Sequence, residues 1–270
     1  MADKSRLSLN QRTTDKWTVG ETVEGCVRHG VPAIALWRHR IAERGLGECV
    51  RLVRDAGLHV SSVCRGGMFP GASWGERKKN IEENFRAVDE AAALKADSLA
   101  LVVGGCAGIG LDEAREMVAD GIRVLVPYAR ERGVKLGIEP LHPMYAAERA
   151  VVVTIGQALE LAAEYTPEEV GVILDVFHIW WDPKIAELIW QAKGRICGFH
   201  VSDWLTPLPD MLLGRGLMGD GVIDNRKLRL LVDEAGYTGP IEVEIFNQAL
   251  WDLDQDVLVD KVIDRFEKLV

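Results

Sequence analysis

No apolar run in this 270-residue chain reaches the roughly 18 residues that a membrane-spanning helix needs, so no span is expected. The opening MADKSRLSLN lacks the long apolar stretch of a secretory signal. Basic residues are the minority: 32 Lys and Arg against 41 Asp and Glu give a net charge of −9. That balance argues against nucleic acid and anionic membrane as partners, since both want a basic face. Cysteine is scarce and unpatterned. Cys26, Cys49, Cys64, Cys106 and Cys197 are odd in number and form no CxxC pair, so reduced thiols in a cytoplasmic protein are expected. No GxGxxG follows the first apolar segment, which disfavours an open dinucleotide-binding sheet. The Gly-rich Val103–Gly110 could cradle a phosphate or simply turn the chain, but no Walker lysine follows it.

What is present is a rhythm. Short apolar segments fall at Leu7–Arg12, Ala33–Trp37, Val60–Cys64, Ser98–Val103, Lys135–Glu139, Val170–Asp175, Arg195–His200 and Ile241–Ile245. Between them lie amphipathic, helix-patterned stretches at Glu43–Ala56, Arg77–Leu94, Asp112–Arg132, Thr154–Glu164 and Asn225–Ala235, and another from Gln255 onward. Strand and helix in alternation mean βαβ units and a parallel sheet. Gly30, Gly57, Gly133 and Gly236 stand where helices should stop. Eight units with no Pro/Gly/Ser-rich linker predict an α/β fold, a single (β/α)8 TIM barrel over residues 1–270.

Four of the strand segments end on a residue able to bind a metal: Glu139 (KLGIE), Asp175 (VGVILD), His200 (RICGFH) and Glu244 (PIEVE). Their spacings, about 36, 25 and 44 residues, are each one or two strand-plus-helix units. In a barrel all such ends meet at one rim, where active sites of this architecture lie. Three carboxylates and one imidazole suit a hard divalent ion: Mn²⁺ first, with Mg²⁺, Co²⁺ or Zn²⁺ also fitting. Taken singly each residue is weak evidence. Asp175 alone reads equally as a helix N-cap, and His200 alone as a core histidine.

The sequence resembles the xylose-isomerase-like TIM-barrel superfamily of sugar phosphate isomerases, epimerases and inosose dehydratases. The resemblance rests on IEP at Ile138–Pro140, LDVFH at Leu174–His178, FHVSD at Phe199–Asp203, GDGVID at Gly219–Asp224 and GPIEVEIF at Gly239–Phe246. It implies that Glu139, Asp175, His200 and Glu244 ligate one metal ion. It also implies that Glu139 and Glu244 form the acid/base pair and that His178 contacts substrate oxygens; for His178 a loop position or a partner of Asp175 stays open. Endonuclease IV, a DNA-repair relative, needs histidines at strand ends where this chain has Gln11, Trp37 and Arg65, so DNA repair is not expected.

Further candidates surround the rim. His142, three residues after Glu139, could serve as an added general base or lie in a surface turn. Arg215 and Asp220 fall in the long segment Leu205–Gly221, whose length suits a lid or a substrate-binding element; either could instead pair on the surface. Asn10, Gln11, Trp37, Arg38 and Arg65, with Trp181, Trp204 and Phe246, could line a cup for a sugar-like ring, whereas Trp190 and Trp251 read as packing. Trp180–Trp181 and Trp204 are bulkier than an ordinary ketose epimerase would lead one to expect. The expected function is a divalent-metal-dependent isomerase or epimerase of a keto-sugar or cyclitol acting through an enediolate. The alternatives are a lyase (inosose dehydration or β-elimination from a 3-keto-glycoside) and a non-catalytic sugar- or partner-binding barrel. A small sugar-like molecule is the expected partner, and a homo-oligomer is compatible with the sequence.

Overall fold

The computed structural model describes residues 3–270. Eight parallel strands close into a barrel: β1 (Leu7–Asn10), β2 (Ala33–Trp37), β3 (His59–Gly67), β4 (Ser98–Val102), β5 (Leu136–Ile138), β6 (Val170–Asp175), β7 (Ile196–Val201) and β8 (Ile241–Val243). Each strand pairs with its neighbours in sequence, and β1 pairs with β8 to close the ring. The expected α/β barrel is therefore the fold. Strands β1, β4, β5 and β8 are shorter than their apolar runs, and β3 is longer. Glu139 and Glu244 lie one residue past β5 and β8, yet each stays tethered, its N–H donating at 3.2 Å to Leu101 and Val201 respectively.

The core follows from apolar periodicity. Along the helix Leu111–Glu131, the buried residues Val118, Ile122 and Leu125 recur at helical spacing and face the sheet. On the strand faces turned toward the helices, Leu7, Leu9, Ile34, Leu36, Leu99 and Leu101 are fully buried. Burying side chains of this kind stabilises by about 1.5–3 kcal/mol each, set against the entropy of ordering the chain. Gly30 (φ 64°) and Gly57 (φ 67°) end the helices before β2 and β3 in the left-handed conformation, as their place in the sequence requires.

The structure departs from the expected pattern in several places, among them an added helix at Ile185–Gln191. A helix at Val19–His29 was not among the expected ones; Gly20, Gly25 and three valines dilute its propensity, while a Thr18–Glu21 capping box fixes its start. The expected helix Glu43–Ala56 is two, Arg38–Arg44 and Leu46–Ala56, broken at Gly45. Beyond β7 the chain makes a two-stranded antiparallel ribbon, Asp203–Trp204 against Arg215–Gly216. No helix among the described residues is long and apolar enough to cross a membrane. The five cysteines are unbridged.

Candidate metal centre

Glu139, Asp175, His200 and Glu244 converge at the C-terminal rim, each offering a ligand atom within 4.8 Å of the others. All four are buried. His200 Nδ1 lies 3.7 Å from Glu139 Oε1 and 3.8 Å from Glu244 Oε2, too far for hydrogen bonds and close enough to share one ion. Both His200 nitrogens are buried with no hydrogen-bond partner. Native interiors seldom leave such atoms orphaned. These orphaned atoms, in a buried oxygen-rich set with one imidazole, fit a divalent cation.

The electrostatics reflect crowding. Burial, then the charge of Glu244, pushes Glu139 up to about 8. Burial would raise Glu244 too, but Arg215 and His200 outweigh it and hold Glu244 down at about 2. Burial alone would lower His200, yet Glu242, Glu244 and Glu139 together hold it up at about 10. In the metal-free site a proton on His200 thus takes some of the place of a cation.

Two residues complete the centre in ways the sequence did not foretell. Glu242 has the same inward parity on β8 as Glu244, because alternate strand residues share a face. It is buried, accepts from Asn10 at 2.6 Å and from the hydroxyls of Ser61 and Ser62 at 3.0 Å, and sits 3.6 Å from His200 Nε2. A carboxylate behind that nitrogen favours an Nε2–H and leaves the Nδ1 lone pair facing the ligand cluster. The alternation IEVE was the available signal. Arg215, with a surface pair as its bland alternative, is instead buried. Its Nη1 lies 2.8 Å from Asp175 Oδ2 and 3.0 Å from Glu244 Oε2, and its Nη2 donates at 3.2 Å to His178 Nε2. Arginine is always a donor, so neutral His178 carries its proton on Nδ1; burial pushes its pKa down to about 3.

The remaining rim candidates divide. Asp203, fully buried, accepts from the backbone N–H groups of Trp204, Gly219 and Ile223 and so staples the segment that delivers Arg215. Asp220 pairs on the surface with Arg265. His142 is half-buried between Trp181 (ring centroids 5.7 Å) and Trp204 (4.9 Å). Its Nδ1 accepts from Met144 N–H at 3.2 Å, which assigns the proton of the neutral ring to Nε2. Trp181 is tied by its indole N–H to the His178 carbonyl, and Trp37 by its indole N–H to Asn10. Gln11 accepts from Trp37 N–H, and Phe246 packs edge-on to Trp37. Arg38 turns away to helix Trp74–Leu94 and pairs with Glu83 and Glu90. Arg65 has no such pair and borders a cavity beside β3. Trp251 packs as expected, but Trp190 is 58% exposed and corrects its reading as a packing residue; its ring faces solvent under Lys193. The Gly-rich turn after β4 commits two amides to the segment Ala147–Arg149 (Gly104 N to Arg149 O, Cys106 N to Ala147 O), so close backbone packing accounts for Gly104 and Gly105.

A family model described as xylose isomerase-like TIM barrel matches residues 23–269. Protein SMc04130 from Sinorhizobium meliloti 1021, known from a crystal structure, is 45% identical, with a TM-score of 0.96 over 99% of each chain. A 3-dehydroshikimate dehydratase of Pseudomonas aeruginosa is 29% identical over 208 residues, 73% of this chain and 31% of that protein. The chain thus spans about a third of the length of the curated dehydratases it matches. The IOLI protein with a bound zinc atom shares the fold, with a TM-score of 0.83 at 20% identity, covering 98% of this chain and 99% of that one.

Proposed function

Since the chain belongs to the xylose isomerase-like TIM barrel family, we propose that it is a divalent-metal-dependent enzyme that moves a proton on carbon next to a carbonyl of a polyhydroxylated ketone, as an isomerase or epimerase. The observation that carries this is the pair Glu139 and Glu244, both buried, 3.7 and 3.8 Å from His200 Nδ1, with Arg215 bonded to Glu244 at 3.0 Å. Two carboxylates with separated proton affinities are what an acid/base pair requires. Each has two oxygens, so one can ligate while the other handles a proton. Glu244, kept ionised by Arg215, takes the proton from one face. Glu139 returns one from the other.

Glu139, Asp175, His200 and Glu244 would hold the ion, and Mn²⁺ suits this carboxylate-rich set best. When bound, the ion would supply Lewis acidity that stabilises the charge developing on the carbonyl oxygen. Arg215 keeps the cluster from excess negative charge and, with His178, orients Asp175. Trp37, Trp181, Trp204 and Phe246 exclude water on the apolar sides. Residues 1–270 are taken as one barrel domain, supported by the near full-length family match and by β1 pairing with β8.

His142 favours a second reading, a lyase. Its assigned tautomer presents an Nε2–H donor, the kind of group that protonates a departing hydroxyl or aglycone. The likeness to a dehydratase supports the same reading. Incubating metal-loaded protein in D₂O with a ketose, an inosose and a 3-keto-glucoside separates the outcomes. Deuterium gain in an epimerised or isomerised product without mass loss is expected. Loss of water or aglycone makes it a lyase, and exchange with no panel member overturns both.

A further inference from the structure

One cationic side chain at the rim is not used by the metal centre. Arg65 is the extra residue of a bulge in β3: Cys64 pairs with Ala100 and Gly66 with Leu101, leaving Arg65 without a partner in β4. Bulges re-aim side chains. The following backbone is built to hold that position. Asn84 clamps Gly67 from both sides, its Oδ1 accepting from Gly67 N–H at 2.6 Å and its Nδ2 donating to Gly67 O at 2.7 Å. A Cβ on Gly67 would lie 2.0 Å from Val102 O, so only glycine lets the strands close there. Arg65 is thereby turned into a cavity of about 310 Å³ lined also by Trp37, Cys64, Asn80, Glu83 and Asn84. The cavity lies beside the metal centre: Trp37 in its wall donates its indole N–H to Asn10, whose amide donates at 3.1 Å to Glu244.

Arg65 has no hydrogen bond or ion pair among the described residues, whereas its neighbour Arg38 is taken by Glu83 and Glu90. A second cation, Arg149, lies on the neighbouring turn: its carbonyl accepts from Gly104 N–H, and Gly104 packs against Met68, which also lines the cavity. It follows the turn after β5 and lies over Tyr145. Burial, then Arg149 among nearby charges, pushes Arg65 down from its ordinary value. Guanidinium does not shed its proton in proteins, so the cost is one of unpaired charge. Two half-buried guanidiniums without counter-ions, one on a clamped bulge, describe a site awaiting an anion.

We propose that Arg65 and Arg149 form an anion subsite, and that the substrate is a polyhydroxylated ketone bearing a carboxylate directed toward β3. This rests on the reaction proposed above for the ketone end. Carboxylate is favoured over phosphate because the Gly-rich turn nearby, which could have cradled a phosphate, has already committed the Gly104 and Cys106 amides.

Binding tests this without turnover. Calorimetric titration of metal-loaded protein compares a tetrahydroxycyclohexane carboxylate, its methyl ester and an inositol monophosphate. The carboxylate is expected to bind roughly 10- to 100-fold more tightly than the ester, the scale of a charge-assisted bond. Arg65→Gln should abolish the preference, Arg149→Gln should weaken it, and Arg65→Lys should keep part of it, which guards against a variant that does not fold. Tighter binding of the phosphate, with the same arginine dependence, supports the subsite and changes the anion. Equal binding of acid and ester, or a preference untouched in both glutamine variants, overturns it. If the preference holds while no ketone exchanges deuterium, the subsite stands and the proposed reaction falls.

Discussion

Replacing Glu242 with glutamine would alter one atom type and almost no volume, yet should reach the ion through His200. In the native site Asn10 is a donor to Oε1 at 2.6 Å, so a glutamine must turn its oxygen toward Asn10. Its NH₂ then faces Ser61, Ser62 and His200 Nε2, where Glu242 Oε2 now accepts from the two hydroxyls. The serines can adapt by accepting instead. His200 cannot keep a proton on Nε2 against another donor, so the ring shifts toward Nδ1–H and loses the lone pair that faces Glu139 and Glu244. Loss of such a supporting partner costs about 10- to 100-fold in metal affinity, or about 1.4–2.7 kcal/mol. Turnover at full metal occupancy should change far less, since Glu139 and Glu244 are untouched. Competitive titration against a chromogenic chelator gives the affinity, and ¹⁵N shifts of His200 give the tautomer. A correctly folded Glu242→Gln protein that binds metal within twofold of wild type would refute the reasoning.

Metal should also stabilise the fold: at a thousandfold excess over Kd the gain is about 4 kcal/mol, a rise in Tm on the order of 10 °C. Protein that melts identically and stays active in chelator would remove the metal from the account. Glu139→Gln and Glu244→Gln should each lower turnover at least about 100-fold at equal metal occupancy, measured by single-turnover exchange; near-normal turnover reduces that residue to a ligand. The pH response of metal-free protein follows from His200 at about 10 and Glu139 at about 8, both above their ordinary 6.5 and 4.5. Folding favours both protonated forms, so their stabilisation is whole below those ordinary values and is lost as pH rises through about 8 and then 10. Metal displaces these protons, so its affinity and the Tm gap between loaded and metal-free protein should widen with pH, with proton release on binding at neutral pH. Calorimetry in buffers of differing ionisation enthalpy reads that release; a pH-independent gap would count against the assignment.

The sequence alone determined the barrel and the rim. Hydrophobic runs separated by helix-patterned segments admit few closures, and glycine at helix ends marks them because the left-handed turn excludes most other residues. It also put Glu139, Asp175, His200 and Glu244 on one face, since parallel strands that end together present their last residues together. What it could not determine was which neighbours those residues meet across strands. Glu242 stood two residues from Glu244 in plain alternation, but its partners Asn10, Ser61 and Ser62 come from β1 and β3. Arg38 and Arg65 looked alike as strand-end arginines. Only the packing of helix Trp74–Leu94 against β3 paired Arg38 with Glu83 and Glu90, and only a bulge in register left Arg65 facing a cavity without an ion-pair partner of its own. Arg215 shows the same limit: its burial depends on the ribbon stapled by Asp203, whose bonds to Gly219 and Ile223 span 16 and 20 residues that no local periodicity encodes. Strand ends are set by local apolar pattern, whereas charge partners are set by distances across the closed barrel.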